Sequence, residues 1–252
     1  MSVGGFYRVW PFLLAVLLFG SSVQAAPVLH PLLIVSEEWV DYTNADGTGL
    51  AWDLMRKVFE PAGYKVRTRQ EPYTRAFGLV QRGEADIWVG SYKDEADSLY
   101  PRWNFDVDHV YALGLASRAS PDVSQLGQYK LAWVRGYEYQ RYLPNIKRYT
   151  EVQRRSGILS MIDLGRADYY IDALSEIQAL LRDSPRQASY KVTHVAELPL
   201  YIGFTNSPKG RRLREVFDQR MDALVPGGQL REIFARWHQP YPFEAQTTVK
   251  AP

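Results

Sequence analysis

The sequence predicts an α/β protein made of two similar lobes, with the chain crossing between them twice. Residues 83–86 read G-E-A-D and residues 165–168 read G-R-A-D. Each tetrapeptide follows an apolar helix pattern and opens a short apolar run typical of a buried strand. Two further strand-like runs, 111–117 and 198–205, separate the halves, and we interpret them as the crossings. The matched setting of the two tetrapeptides indicates two lobes of similar construction.

The first half alternates strand and helix patterns. Its predicted elements are a strand at 32–36, a helix at 50–60, a strand at 64–69, a helix from Thr74 to Gly83 and a strand at 85–89. The helix at 50–60 carries Leu, Met, Val and Phe along one face, and Gly83 is placed to end its helix in a left-handed conformation. In open α/β sheets ligands lie beyond the carboxyl ends of the strands. The loops after the first and third strands are therefore expected at a binding crevice.

The second half repeats this pattern after an irregular stretch at 93–107. We expect strands at 130–134 and 167–173, short helices after Gly136 and Ser156, a helix at 176–182, a long helix from Ser207 and a last helix around Trp237. Ser207 is followed by proline, which is the favoured order of cap and first helical position.

The N-terminus has the pattern of a secretory signal peptide. Arg8 lies in a short leading region, and the apolar run at 9–19 is too short to span a bilayer comfortably. Val23 and Ala25 supply the small residues of a cleavage site. We predict cleavage after Ala25 and a soluble protein exported to the periplasm. An uncleaved membrane anchor is the alternative.

Composition excludes several classes of function. The 252 residues carry a formal net charge of +2 without long charge blocks, so no nucleic-acid or polybasic membrane surface is expected. The absence of cysteine excludes a disulfide scaffold, a cysteine nucleophile, a thiolate metal site and a lipoprotein anchor. The four histidines do not show metal-ligand spacing, and we expect neither a metal nor a cofactor.

The order of the motifs resembles that of a known family. The motifs are LLIVS at 32–36, DGTGLAWDL at 46–54, PYTRAFGLVQRGEADIWVGS at 72–91, GRADYYID at 165–172 and the stretch from FTNSPKGRR at 204–212 to Trp237. This order is similar to that of bacterial extracellular solute-binding proteins of family 3, the amino-acid-type periplasmic receptors of ABC importers. The resemblance implies a type II periplasmic-binding fold, with two α/β lobes joined by two crossing strands. We expect lobe 1 at 26–112 plus 198–245, lobe 2 at 113–197 and a flexible tail at 246–252.

Ten residues at or beyond the ends of predicted strands are candidates for contact with the ligand: Trp39, Tyr42, Tyr73, Arg75, Gly90, Ser91, Tyr92, Gly136, Tyr137 and Asp172. Tyr73 lies in a loop expected at the crevice, Arg75 is chosen for the reason given below, and the resemblance implies the roles of the other eight. Trp39 and Tyr42 would stack on the ligand. Gly136 and Tyr137 would direct helix N–H groups toward an anion, and Asp172 would meet an amino group. The rim after the third strand would offer backbone and hydroxyl groups.

One departure from the family concerns the ligand carboxylate. In the amino-acid binders of this family, an arginine holds the ligand carboxylate and lies a few residues beyond the segment that corresponds to 90–92. The stretch 93–98 of this sequence contains no arginine. Arg75 is our first candidate replacement, because a guanidinium beside the rim can hold a carboxylate through two parallel hydrogen bonds. Arg102 lies later in the sequence and could hold the carboxylate only if the loop before it took a different path. Alternatively, Arg75 is a surface cation or an ion-pair partner within its lobe, and Asp172 caps the next helix.

These patterns predict a monomeric, non-enzymatic receptor for a small polar solute, either an amino acid or a related carboxylate or amine. Ligand binding would close the lobes, and a membrane ABC permease would recognise the closed form. Two alternatives remain. A dehydratase-like or lyase-like enzyme on the same scaffold needs a cleft acid with a shifted pKa, at Glu37, Asp41 or Asp172. A ligand-sensing partner of a membrane signalling protein needs no permease.

Overall fold

The structure, a computed structural model, describes residues 1–2, 4, 29–93, 96–182 and 184–244. Most of the predicted signal peptide and the whole of the predicted tail at 246–252 lie outside these ranges. None of the helices in the described part of the chain has the length and apolar character needed to span a lipid bilayer.

Strands and helices alternate through most of the described chain. In order, they are β1 (His30–Ser36), α1 (Leu50–Phe59), β2 (Tyr64–Gln70), α2 (Tyr73–Gln81), β3 (Ile87–Ser91), β4 (Ser98–Leu99), β5 (Asp106–Leu115), β6 (Leu131–Val134), β7 (Tyr149–Val152), α3 (Ile158–Asp163), β8 (Tyr169–Ala173), α4 (Leu174–Arg182), β9 (Tyr190–Thr205), α5 (Pro208–Leu224) and α6 (Arg231–Arg236).

The strands form two lobes joined by two crossing strands, as the sequence predicts. In lobe 1, β1 pairs in parallel with β2 and β3, and β9 adds antiparallel to β3 and β4. In lobe 2, β6 pairs in parallel with β7 and β8, and β5 adds antiparallel to β8. Because β9 also pairs with β5 along residues 190–200, the hydrogen-bonded path runs without a break from one lobe to the other. The exact lobe boundaries given above stay a prediction.

Both crossing strands begin earlier than the sequence patterns suggest. β5 begins at Asp106 instead of residue 111, and β9 begins at Tyr190 instead of residue 198. The added residues of β9 read YKVTHVAE, and most of them are only partly buried. The first residues of β9 pair with β5 at the edge of the lobe 2 sheet, and such an edge strand lacks the continuous apolar run by which fully buried strands are recognised.

Each lobe covers its sheet on both faces, which explains why the central strands are apolar throughout. In lobe 1, α1, α5 and α6 pack on one face around Trp52, Phe59 and Phe217, while α2 packs on the other face near Trp88. In lobe 2, one face contains Trp133 and the opposite face carries α3 and α4. All five residues of β8 are buried, including its single acid.

Some local predictions are confirmed and others are wrong. Ser207 caps α5 by accepting from the Gly210 N–H at 3.0 Å, and Gly83 takes a left-handed φ of 72° after α2. Thr74 is not a cap, because α2 already begins at Tyr73. Ser156 lies within a 3₁₀ turn, Arg155–Gly157, that precedes α3, and the helix predicted after Gly136 is reduced to the 3₁₀ turn Tyr139–Arg141. The sequence patterns also missed the short strands β4 and β7.

Candidate functional site

The candidate site lies where loops at the carboxyl ends of strands from both lobes meet. An enclosed cavity of about 30 Å³ lies at its base, with room for little more than one water molecule. A wider opening of about 700 Å³ adjoins the cavity and shares Glu37, Tyr73 and Glu176 with it. We refer to the cavity and the opening together as the cleft.

Aromatic side chains form much of the cavity wall. Trp39, Tyr73, Tyr92 and Tyr137 all line it. Trp39 stacks on Tyr42 with ring centroids 3.9 Å apart and planes 7° apart, so Tyr42 supports the indole from behind. Tyr73 of lobe 1 meets Tyr137 of lobe 2 edge to face at 5.9 Å. Flat faces in this arrangement can hold the apolar part of a small ligand.

Four carboxyl groups of the described side chains line the same cavity. They are Glu37 after β1, Asp108 on β5, Asp172 near the end of β8 and Glu176 in the first turn of α4. Carboxylates crowded in a poorly hydrated space repel each other and lose their hydration. Such a cluster is stabilised by a cation, either from the protein or from a ligand, or by keeping some of its protons.

Arg155 supplies a cation from within the protein. Its Nε donates to Asp172 Oδ2 at 2.8 Å and lies 3.2 Å from Glu176 Oε2. Its Nη2 donates to the Tyr137 hydroxyl at 2.6 Å. The Arg155 side chain is only 20% exposed, and its pKa rises because the attraction of Tyr137 and the surrounding carboxylates outweighs the opposing effect of burial.

Three carboxyl groups of the cavity, those of Glu37, Asp108 and Glu176, hold their protons more tightly than exposed acids do. Burial raises the pKa of Glu37 to about 7, although Arg155 and a hydrogen bond from the Tyr137 hydroxyl oppose this shift. Burial also raises the pKa of Asp108 to about 7, although its carboxylate accepts from the Tyr92 hydroxyl at 2.5 Å. The pKa of Glu176 rises to about 7 for the same reason. Near neutral pH the cluster can therefore gain or lose protons.

The two lobes are in contact across the cleft. The Trp39 Nε1–H donates to Ser175 Oγ at 2.7 Å, and the Val40 N–H donates to Glu176 Oε1 at 3.0 Å. The Tyr137 hydroxyl donates to Glu37 from the opposite side of the cleft. The structure thus has the closed arrangement of the lobes, with side chains of the cavity forming the contacts.

Gly136 marks a close backbone approach between the lobes. A Cβ at this position would lie 2.6 Å from Thr74 Cγ2 and 3.2 Å from the Tyr73 ring, both of lobe 1. We expect Gly136→Ala to hinder closure and to increase the radius of gyration measured by small-angle X-ray scattering. Gly165→Ala is the matched control, because Gly165 also has a left-handed φ but has open space around its Cβ position. A radius that changes equally in both variants would contradict this assignment.

Six of the ten candidate residues line the cavity: Trp39, Tyr73, Gly90, Tyr92, Tyr137 and Asp172. Tyr42 lies behind Trp39, and Ser91 is fully buried with its hydroxyl on Tyr100. Gly136 directs its N–H to Glu151 Oε1 at 3.3 Å, so this N–H is already engaged within lobe 2. Asp172 does not cap α4, because its Oδ1 accepts from the adjacent Ala173 N–H and its Oδ2 from Arg155.

The two arginines considered from the sequence lie apart from the cavity. The Arg75 side chain is 67% exposed and pairs with Glu71 at 3.2 Å on the surface of α2. Arg102 pairs with Asp222 at 2.8 Å beside α5. Both side chains therefore have partners within lobe 1. We expected Arg75 to lie at the cleft, whereas Arg155 lies there and pairs with Asp172 and Glu176.

Sequence reasoning missed Arg155, Asp108 and Glu176. Arg155 follows β7, so recognition of that strand would have placed the loop at 153–155 beside the crevice. Asp108 lies on the part of β5 that extends before residue 111. The sequence indicates Glu37 only as a possible catalytic acid, which requires a shifted pKa. The pKa of Glu37 is raised by burial, so Glu37 meets this requirement.

Comparison with protein-family models and with curated protein sequences gives no match. Solved structures do match. A substrate-binding protein of an ABC uptake transporter from Streptococcus pneumoniae, with bound histidine, is 14% identical with a TM-score of 0.65, over 82% of this chain and 92% of that one. An ancestral arginine-binding protein bound to arginine is 14% identical with a TM-score of 0.66, over 83% and 99%. A histidine kinase sensor domain with similarity to periplasmic binding proteins is 17% identical with a TM-score of 0.65, over 83% and 96%.

These similarities define the class of fold. The chain has the mixed α/β, two-lobe architecture of periplasmic binding proteins, with lobes joined by two crossing strands. At such low identities the likeness establishes the fold alone.

Proposed function

We propose that this protein is a receptor that captures a small cationic solute between its two lobes. The observation that carries the proposal is the cluster of one half-buried acid, Glu37, and three buried acids, Asp108, Asp172 and Glu176, of which Arg155 pairs with the last two. An ammonium or guanidinium group entering this cavity would replace lost hydration with several charge-assisted hydrogen bonds. The aromatic walls add favourable faces for the same cation.

The outer opening suits the other end of an amino acid. It is lined by Arg135 and Arg154 as well as by Arg155, together with Gln70 and Gln153. Arg135 lies 3.8 Å from Glu151, a loose pair that leaves its side chain more than half exposed. We therefore place the amine or guanidinium of the ligand in the cavity and its carboxylate toward the arginines of the opening. Among the similar structures, one contains bound histidine and another bound arginine, in keeping with such a ligand.

The test is a ligand panel measured by thermal shift and isothermal titration calorimetry. L-arginine, L-lysine, L-histidine and putrescine represent cations, and L-glutamate and succinate represent anions. At least one cation is expected to raise the melting temperature, and Asp172→Asn should weaken its binding at least tenfold, because a charge-assisted bond is lost. Glu138→Gln, which removes an exposed carboxylate of lobe 2 paired with Arg141, should leave the affinity within twofold. A preference for the anions, or equal loss in both variants, would contradict the proposal.

We further propose that the protein works in the periplasm as a family 3 solute-binding protein and delivers its ligand to an ABC permease. The signal-peptide pattern and the motif order support this role, and so does the fold shared with ABC substrate-binding proteins. A sensing role is the alternative that the similar kinase sensor domain favours. In either role ligand binding would shift the population of lobes toward closure.

One observation favours a catalytic function as a second candidate. Glu37 has a pKa raised to about 7 by burial and accepts a hydrogen bond from Tyr137, which suits a general acid or base at neutral pH. Incubating the protein with each compound of the ligand panel distinguishes a catalytic function from simple binding. Mass spectrometry of the recovered ligand would show an altered mass or isomer if Glu37 catalyses a reaction, and an unaltered compound if the protein only binds.

A further inference from the structure

The crossing strands carry a group of metal-ligating side chains outside the cleft. His109 lies on β5, and His194 and Glu197 lie on β9. One ligand atom from each residue lies within 4.8 Å of the others. His109 Nδ1 and Glu197 Oε1 are 3.5 Å apart. His109 is half-buried and the other two residues are exposed, so an ion can reach all three from solvent.

A β-bulge brings the three side chains to one face. Residues three apart on a regular strand point to opposite faces, which would separate His194 from Glu197. Here Val110 pairs with Ala196 and Tyr111 pairs with His194, so one extra residue, Val195, is inserted into β9. The inserted residue is buried. Because of it, the residues that precede it in β9 point to the opposite face of the sheet from the one they would face in a regular strand. Bulges of this kind re-aim side chains, and this one turns His194 toward His109 and Glu197.

We propose that His109, His194 and Glu197 form a binding site for a divalent transition metal, with Zn²⁺ as the preferred ion. Two imidazole nitrogens and one carboxylate oxygen are a ligand set typical of zinc. With metal–ligand bonds of about 2.0–2.1 Å, ligand atoms around a tetrahedral ion stand about 3.4 Å apart. The His109–Glu197 separation already has this value within 0.1 Å. A small side-chain rotation brings in His194, whose ring packs edge to face on Tyr111 at 5.1 Å.

The position of the site gives the ion a structural effect. His109 pairs directly with Glu197 in a segment where β5 and β9 bond only to each other. Beyond this segment β9 joins β3 from residue 201 onward, while β5 joins β8 from residue 110 onward. An ion held here would link the two crossing strands at the passage between the lobes. Its three protein ligands leave a fourth position open to water.

The test uses protein without a polyhistidine tag, stripped of metal with a chelator and titrated with zinc chloride in a calorimeter. We expect one zinc ion per chain. His194→Gln and Glu197→Gln should each weaken binding at least tenfold, because each removes one of three ligands. His30→Gln is the matched control, since His30 is exposed at the start of β1 and lies outside the cluster.

The variants are checked for folding by circular dichroism, and both altered side chains are exposed, so the fold should be retained. Double replacement of His109 and His194 should abolish the stoichiometric site. Absence of one-to-one binding in the unaltered protein would overturn the proposal. So would an affinity that is unchanged by His194→Gln or reduced equally by His30→Gln.

Discussion

Replacement of Arg155 by methionine is expected to destabilise the protein by about 3–5 kcal/mol, the range found when one partner of a buried ion pair is removed. Methionine keeps much of the length of the side chain but leaves Asp172 and Glu176 without the guanidinium that lies between them. It also removes the donor to the Tyr137 hydroxyl, which in turn holds Glu37 of the other lobe. The loss thus acts on lobe 2 and on the contact between lobes.

Urea unfolding at pH 7.5 measures this effect, and Arg75→Met is the matched control. Arg75 is exposed and forms a surface pair with Glu71, so its replacement should cost less than about 1 kcal/mol. Arg155→Lys should lie between the two, because an ammonium keeps the charge but cannot reproduce the fork of donors. Similar free energies of unfolding for the two methionine variants would show that Arg155 does not hold the acid cluster together.

The parts of the fold that the sequence reveals are those that bury a regular apolar pattern. Helix α1 along one face and strand β1 from Leu32 onward are largely buried, so their apolar periodicity can be recognised in the sequence. β7 reads Tyr-Thr-Glu-Val and is at most half-buried, and the first part of β9 pairs with β5 at the edge of the lobe 2 sheet. For these strands the hydrogen-bonding partner, not the burial of side chains, decides the conformation. A partner distant in sequence leaves no local signal.

The same distinction applies to the candidate site. Trp39 and Tyr92 follow buried strands, and the rule that ligands lie beyond strand ends found them. Asp172 lies within β8, and its role was implied by the family resemblance. The acid cluster is different, because its members come from β5, β8, α4 and the loop after β1. Only the folded chain shows that they line one cavity and that Asp172 and Glu176 share Arg155. The choice of Arg75 failed for a related reason, since its i,i+4 neighbour Glu71 already engages it on the surface of lobe 1.

Raising the pH from 4.5 to 7 is expected to destabilise the ligand-free protein, which is opposite to the usual effect of carboxyl groups. Burial raises the pKa of Asp108 from 3.8 to about 7. Between these values the unfolded chain has released the proton while the folded chain retains it. The free energy of unfolding therefore falls with rising pH, by about 1.4 kcal/mol per pH unit when the folded chain holds one proton more than the unfolded chain. Glu37 and Glu176 act in the same direction, because burial raises the pKa of each from 4.5 to about 7.

Urea unfolding at pH 4.5, 5.5, 6.5 and 7.5 measures this slope. Asp108→Asn removes one titrating group while its side-chain oxygen can still accept from Tyr92, so the slope should become shallower. Glu84→Gln is the control, because Glu84 is exposed and the hydrogen bond from Arg82 lowers its pKa, so this carboxyl does not share the upward shift of the cluster. A saturating cationic ligand should also flatten the slope, since it favours the ionised carboxylates. Stability that increases steadily up to pH 7.5 would contradict this prediction. It would mean that the carboxyl groups of the cluster are already ionised in the folded, ligand-free protein.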